Sequence, residues 1–300
     1  MTTPPSLDAL AILSALSERR NVLLLGPPAT GKSRLLAEVA ALFEMPPTPP
    51  AAEPRHDPDG AVAIPDIPEP AAPAFTMPGE GRARRKVFRS VLHQGSKHRE
   101  FLTGIVPDAR PGKPPGQFRI FEGILYRASE FAKEEDSCAL LIVDEINRGP
   151  AVQVFGGAIV AMEGEKRLAS DGSRRAETQS FDLLDPKTGE TVEYAFPAHL
   201  YILAAMNQAD VSVEPLDVAF LRRWAPHPLE PSAAVLRTHF GVEVTRALPD
   251  LPAEAKDVYE AAVRAWEAVN ARIALGRGPE FRIGHGVLMA VSGVPSDLDA

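Results

Sequence analysis

Cysteine is nearly missing from this sequence: Cys138 is the only one in 300 residues. A lone thiol cannot close an internal disulfide, and its apolar setting reads as buried core, which fits a reducing cytoplasm. Long apolar runs are missing too. The longest, Ala139 to Val143 and Leu200 to Met206, fall far short of the ~20 residues that a membrane-crossing helix needs. No signal peptide is visible, so the expectation is a soluble protein with no membrane partner. There is no surplus of positive charge, because 32 Lys and Arg face 40 Asp and Glu for a formal net charge of −8. That argues against a protein that coats nucleic acid through its overall field, while leaving local basic patches open. The seven histidines show no close metal-ligand spacing and no G-x-S-x-G turn occurs, so zinc and serine-hydrolase chemistry lack support. No internal repeat is apparent.

What is present alternates. Residues 1–20 hold one helix, with Leu7, Leu10, Ile12 and Leu13 at helical spacing behind a Ser6 cap. Val22 to Leu25 form a short apolar strand, and Leu35, Leu36, Val39, Leu42 and Phe43 trace a helix face that ends before Pro46 and Pro47. Residues 46–80 then carry about a third of the 30 prolines. Such a stretch reads as an extended or disordered insertion, with a proline-rich docking motif as the alternative.

A strand is predicted over Lys86 to Leu92 and a helix over Phe121 to Phe131. The apolar run Ala139 to Val143 ends in Asp144 and Glu145, and a helix carrying Val154, Phe155, Ile159 and Met162 follows. A β-hairpin is expected within residues 178–197, then a strand Leu200 to Met206 ending in Asn207, then a short helix Leu216 to Arg223. Beyond Pro231 only helices are expected, one with Tyr259, Val263, Trp266, Val269 and Ile273 on its apolar face. This order predicts an α/β fold, with a central parallel sheet flanked by helices over 21–230 and an all-helical C-terminal lid domain over 231–300.

Gly26-Pro27-Pro28-Ala29-Thr30-Gly31-Lys32-Ser33 satisfies G-x-x-x-x-G-K-[ST] between an apolar strand and an amphipathic helix. In that setting small residues turn backbone N–H groups inward around a polyphosphate, and the helix that follows points its positive end at the same anion. Lys32 would reach the β- and γ-phosphates and Ser33 would enter the shell of a magnesium ion, with Arg34 next along the same nucleotide-binding segment. Asp144, at the end of a neighbouring strand, would hold the same Mg2+, and Glu145 would polarise an attacking water. Asn207 would meet that water or the γ-phosphate. Arg222 and Arg223 read either as a solvated helix end or as an arginine finger that reaches a neighbouring subunit's γ-phosphate.

These motifs resemble the AAA+ ATPases: a Walker A segment Gly26 to Ser33, a Walker B segment Leu141-Ile142-Val143-Asp144-Glu145, a sensor-1-like Asn207 and the terminal arginine pair. Asp144-Glu145-Ile146-Asn147-Arg148, Phe155-Gly156, Met162-Glu163, Met206-Asn207-Gln208-Ala209-Asp210 and Leu216 to Trp224 are similar to the dynein-related branch and to its McrB-like NTPases. Ile283-Gly284-His285 and Phe101-Leu102-Thr103-Gly104 strengthen the likeness. It implies a homo-oligomeric ring, a hexamer by resemblance, with nucleotide between subunits, arginines donated in trans and a regulatory or effector subunit as partner. Nucleic acid stays open as a further partner. The 178–197 hairpin would face the ring's pore.

Two positions depart from the McrB-like pattern. Gln208 stands where those relatives have threonine, and Val211 where they have arginine, so one charged contact is lost. About twenty residues precede the first expected strand, so no DNA-reading domain is expected and methylcytosine recognition is not carried over. Because the [NT]-K-x-D element of small GTPases is lacking, ATP is the expected substrate, with GTP open. Two rivals to a ring motor stay open: a nucleotide-gated assembly factor with slow hydrolysis, and a silent subunit of a mixed ring. Arg82, Arg84, Arg85, Lys86 and Arg89 read as a solvated cluster or as a pore contact to phosphates. Arg282 reads as a lid-borne sensor or a surface arginine.

Overall fold

The computed structural model describes residues 4–45, 75–112, 114, 116–209, 216–244, 247–251 and 254–289. Of the expected insertion over 46–80 only 75–80 fall among them, and Val211 lies outside.

Helix α1 (Leu7–Arg19) starts where the Ser6 hydroxyl accepts the Ala9 N–H, and it buries Leu10, Ile12, Leu13 and Leu16. It leads directly into β1 (Asn21–Gly26), and α2 (Lys32–Glu44) follows. The next elements are β2 (Arg84–Val91), α3 (His98–Phe101), a hairpin of β3 (Thr103–Pro107) and β4 (Phe118–Glu122), then α4 (Ile124–Lys133), β5 (Ser137–Asp144) and α5 (Ala151–Phe155). A second hairpin, β6 (Phe181–Leu184) and β7 (Thr191–Tyr194), precedes β8 (Leu200–Asn207), α6 (Val218–Leu221) and β9 (Ala225–Pro228). Helices α7 (Ala233–Phe240), α8 (Ala255–Gly276) and α9 (Gly286–Met289) close the described chain.

The main sheet has the order β2-β5-β8-β1-β9, with every neighbouring pair parallel. Both faces of its centre are buried, which is why β5 and β8 read as continuous apolar runs. Along β5, Ala139, Leu141 and Val143 join the core on one face, while Cys138, Leu140 and Ile142 join the core on the other. The lid has a smaller core of its own around Leu236, Val263 and Trp266. No helix among the described residues is long and apolar enough to cross a membrane.

Several expectations are corrected. The helix expected from Phe121 starts at Ile124, because Phe121 and Glu122 pair with Gly104 and Thr103 in the β3–β4 hairpin. The helix expected after Glu145 is broken into a 3-10 turn Ile146–Arg148, α5, and a second 3-10 segment Gly156–Ala161, with Gly156 at φ 52° between the last two. The helix expected over Leu216 to Arg223 shrinks to the single turn α6, capped by Asp217. Strand β9 was not foreseen.

The basic run is put to structural use. Strand β2 lies at the sheet edge, where charge blunts pairing with other chains. Arg85 donates to the carbonyls of Phe43, Gly79 and Pro78, Arg84 pairs with Glu134 at 2.7 Å, and Arg82 donates to Ser137 and Ser170. The cations fasten the edge strand to its neighbours.

Candidate nucleotide-binding site

Parallel pairing brings the C-terminal ends of β1, β5 and β8 to one edge of the sheet. Gly26 stands beside Asn207 in register, and Val143, one residue before Asp144, stands beside Ala204. The pairing of strands thereby brings together residues 181 and 61 positions apart in sequence.

Between Gly26 and Lys32 the chain wraps into a cradle. Ala29 (φ 61°) and Gly31 (φ 86°) take left-handed conformations that turn the amides inward. The Thr30 hydroxyl donates to Pro27 O at 2.9 Å and closes the turn. The Lys32 ammonium donates to Gly26 O at 2.9 Å and Pro27 O at 2.7 Å, and the residue is 8% exposed. Burial pushes its pKa down to about 8, while the charges of Glu145 and Asp144 act in the opposite sense. Ser33 is exposed at the first turn of α2. Arg34 lies on the outer face of that helix, paired with Glu38 at 3.3 Å.

Across the cradle, Asp144 Oδ1 accepts the Glu145 N–H at 2.9 Å. Glu145 is itself left-handed at φ 51°, a conformation that costs a non-glycine residue about 1–2 kcal/mol. Its carboxylate is held by the Asn207 amide, with Nδ2 at 2.8 Å from Oε1 and 3.0 Å from Oε2, and by Arg148 Nε at 3.1 Å. Asn147 Nδ2 donates to Asn207 O at 3.0 Å and so fixes the end of β8 to the turn after β5. The Asn207 amide, expected to meet water or phosphate, here donates to the Glu145 carboxylate.

The arginine pair divides. Arg223 Nε donates to Ile159 O at 2.8 Å, its guanidinium also reaches Ala219 O, and Glu163 lies 3.5 Å away. Arg223 is thus engaged by groups of its own chain. Arg222 is exposed, and no described residue pairs with its guanidinium.

The lid supplies a contact that the sequence did not announce. Gly286 N donates to Ala29 O at 2.8 Å. A Cβ on Gly284 would collide with Pro28 O and Ala29, so only glycine lets the strap approach. His285 Nδ1 accepts the Ser232 N–H at 3.3 Å, which leaves Nε2 toward Gly31. Burial lowers its pKa, with the Arg34 charge adding to the effect. Arg282 pairs with Glu230 at 3.3 Å, bridging lid and core. Asn147, Arg148 and His285 lie in segments that carried the family likeness, yet nothing in residue type or spacing gave them these partners.

A dynein-related AAA domain model matches residues 75–224, half of the chain. The chain belongs to this family. The matched segment contains Asp144, Glu145, Asn207 and Arg222, and the cradle Gly26 to Ser33 lies ahead of it. This AAA domain is 27% identical over 228 residues to the type IV methyl-directed restriction enzyme EcoKMcrB subunit of Escherichia coli K12, covering 76% of this chain and 39% of that protein. It is 35% identical over 91 residues to the type II restriction enzyme BsuMI component YdiS of Bacillus subtilis 168, covering 30% of this chain and 26% of that one. The AAA domain therefore spans well under half the length of either relative. A solved structure from Cytophaga hutchinsonii is 12% identical with a TM-score of 0.36, covering 92% of this chain and 51% of its own; a likeness that loose carries no argument.

Proposed function

We propose that this AAA domain binds a nucleoside triphosphate in the Gly26 to Ser33 cradle and hydrolyses it, ATP being preferred over GTP, within a ring of identical subunits. The observation that carries the reading is the Glu145 carboxylate, held by the Asn207 amide at 2.8 and 3.0 Å beside the strand end that opens into the cradle. A carboxylate in that place has a free lone pair for a water proton and is kept from collapsing onto Lys32.

The donors near the cradle fit magnesium. Ser33 brings a hydroxyl and Asp144 a carboxylate, an all-oxygen set of the kind a hard cation takes together with substrate phosphates. When bound, that ion neutralises phosphate charge. The rest falls to the chain. Cradle amides and Lys32 orient the polyphosphate, Glu145 takes the proton from the attacking water, and Asn207 keeps Glu145 aimed. Arg222 reaches the nucleotide of the next subunit and stabilises charge as the bond breaks. The lid strap 284–286 closes over the cradle's outer turn and leads nucleotide state into movement of the lid.

Both relatives are, by name, parts of restriction enzymes, one a subunit and the other a component. That supports a cytoplasmic role in an assembly with a further effector or regulatory subunit. The test is phosphate release with ATP or GTP, read beside mass photometry of the same sample. Turnover that appears with oligomers and is stimulated by DNA or a protein partner is expected of a ring motor. Turnover indifferent to both favours an assembly factor, and none at any concentration contradicts the reading.

A further inference from the structure

The proposed chemistry leaves one buried cation unused. Arg167 is fully buried, and no carboxylate among the described residues pairs with it. Its Nε donates to Met162 O at 2.9 Å, Nη1 to Leu200 O, and Nη2 to Asn21 Oδ1 at 2.6 Å. Burial pulls its pKa down to about 9. A guanidinium kept from water without a counter-ion is costly, and its neutral acceptors offset only part of that cost. What its planar fork fixes is the first residue of β1.

Asn21 is also fully buried. With Oδ1 taken by Arg167, its Nδ2 donates to Met162 O at 3.0 Å and to Arg223 O at 3.1 Å. That last carbonyl lies between α6 and β9, one residue past Arg222. The Arg223 side chain grips the same region through Ile159 O. Backbone on one side of Arg222 is therefore tied to the sheet, while its guanidinium, with which no described residue pairs, lines a cleft of about 470 Å³ that also takes in Arg19, Arg20, Arg175, Glu163 and Glu165.

We propose that Asn21, held in place by Arg167, is a positioning residue for Arg222: its amide pins the adjacent carbonyl so that the guanidinium meets a neighbouring copy's nucleotide in one orientation. The inference rests on the reading that Arg222 acts in trans. Its physical basis is that a misplacement of about 1 Å can cost on the order of 100-fold in rate when a group must meet developing charge.

Asn21→Asp isolates the link. The aspartate keeps an acceptor for Arg167 and gives it a counter-ion, while removing the donor to Arg223 O and to Met162 O, the latter still accepting from Arg167 Nε. The expected result is a lowered melting temperature, because a carboxylate oxygen then faces two carbonyls, with assembly and nucleotide Kd unchanged and kcat down about 10- to 100-fold. In the double variant Asn21→Asp with Arg222→Ala, kcat should equal that of Arg222→Ala alone, because Asn21 acts only through Arg222. Wild-type kcat in Asn21→Asp, or losses that multiply in the double variant, would overturn the proposal. If Arg222→Ala alone hydrolyses normally, it is the trans-arginine reading that falls. Should Asn21→Asp fail to fold, Asn21→Ser, which is smaller and uncharged, is read by the same two criteria.

Discussion

Asn207 grips both oxygens of Glu145 at 2.8 and 3.0 Å. One residue ends β8 and the other follows β5, so the contact forms only when the sheet is in register. Glu145→Gln should retain nucleotide with Kd within about twofold and lose about 100-fold or more in hydrolysis, the usual worth of a general base. Asn207→Ala should lower kcat about 10-fold or more with Kd unchanged, because it frees the carboxylate without touching the cradle. Calorimetry beside phosphate release separates the two quantities.

Lys32 links binding to pH. Its pKa, pushed from 10.5 to about 8 by burial, means that the free cradle loses its cation as pH rises through 8. Polyphosphate favours the charged form, so binding near pH 8.5 takes up a proton, and affinity falls by up to about tenfold per pH unit above that point. The fold shows the reverse sign. The buried ammonium weakens it below pH 8, and the penalty lifts between 8 and 10.5. Calorimetry in two buffers of different ionisation heat measures the uptake, and Lys32→Ala should abolish both uptake and binding.

Gly284 touches the cradle's outer turn, where no Cβ fits. Gly284→Ala should push the strap away at a cost of about 1–3 kcal/mol. Weaker nucleotide binding with the core's melting little changed is the expected result, checked by calorimetry and by thermal unfolding followed through Trp224 in the core.

Acid should open the lid first. Glu260, with its side chain 1% exposed, accepts from Arg237 at 2.9 and 3.0 Å and from Arg264 at 2.7 Å. The Arg237 hydrogen bonds hold its pKa below 4.5 against the effect of burial, with Arg264 assisting. A depressed carboxylate stabilises the fold above pH 4.5, and that stability is lost as pH falls through the lowered value. Glu260→Gln should remove about 1.5–3 kcal/mol and flatten the acid limb, with Trp266 emission as the readout.

The cradle was legible because all its parts are contiguous, and the strand ends Asp144 and Asn207 because both-face burial writes unbroken apolar runs. Strand β9 was hidden by Pro226 and Pro228, which an edge strand tolerates where a central one does not. Phe121 looked helical because an apolar residue fits either period, and only its pairing with Gly104 decides. Arg167 and Asn21 gave no signal at all, since an isolated arginine reads as surface until tertiary packing encloses it. The inequality of Arg222 and Arg223 was hidden for the same reason: adjacent identical residues differ only in what lies beside them.

The proposal that subunits share an active site is tested most directly by mixing the variants Glu145→Gln and Arg222→Ala, each expected to be inactive alone, and measuring phosphate release. An Arg222→Ala subunit keeps its own Glu145 and receives Arg222 from a Glu145→Gln neighbour, so hydrolysis should return on mixing. A mixture that co-assembles by mass photometry yet stays as inactive as either parent would contradict the account.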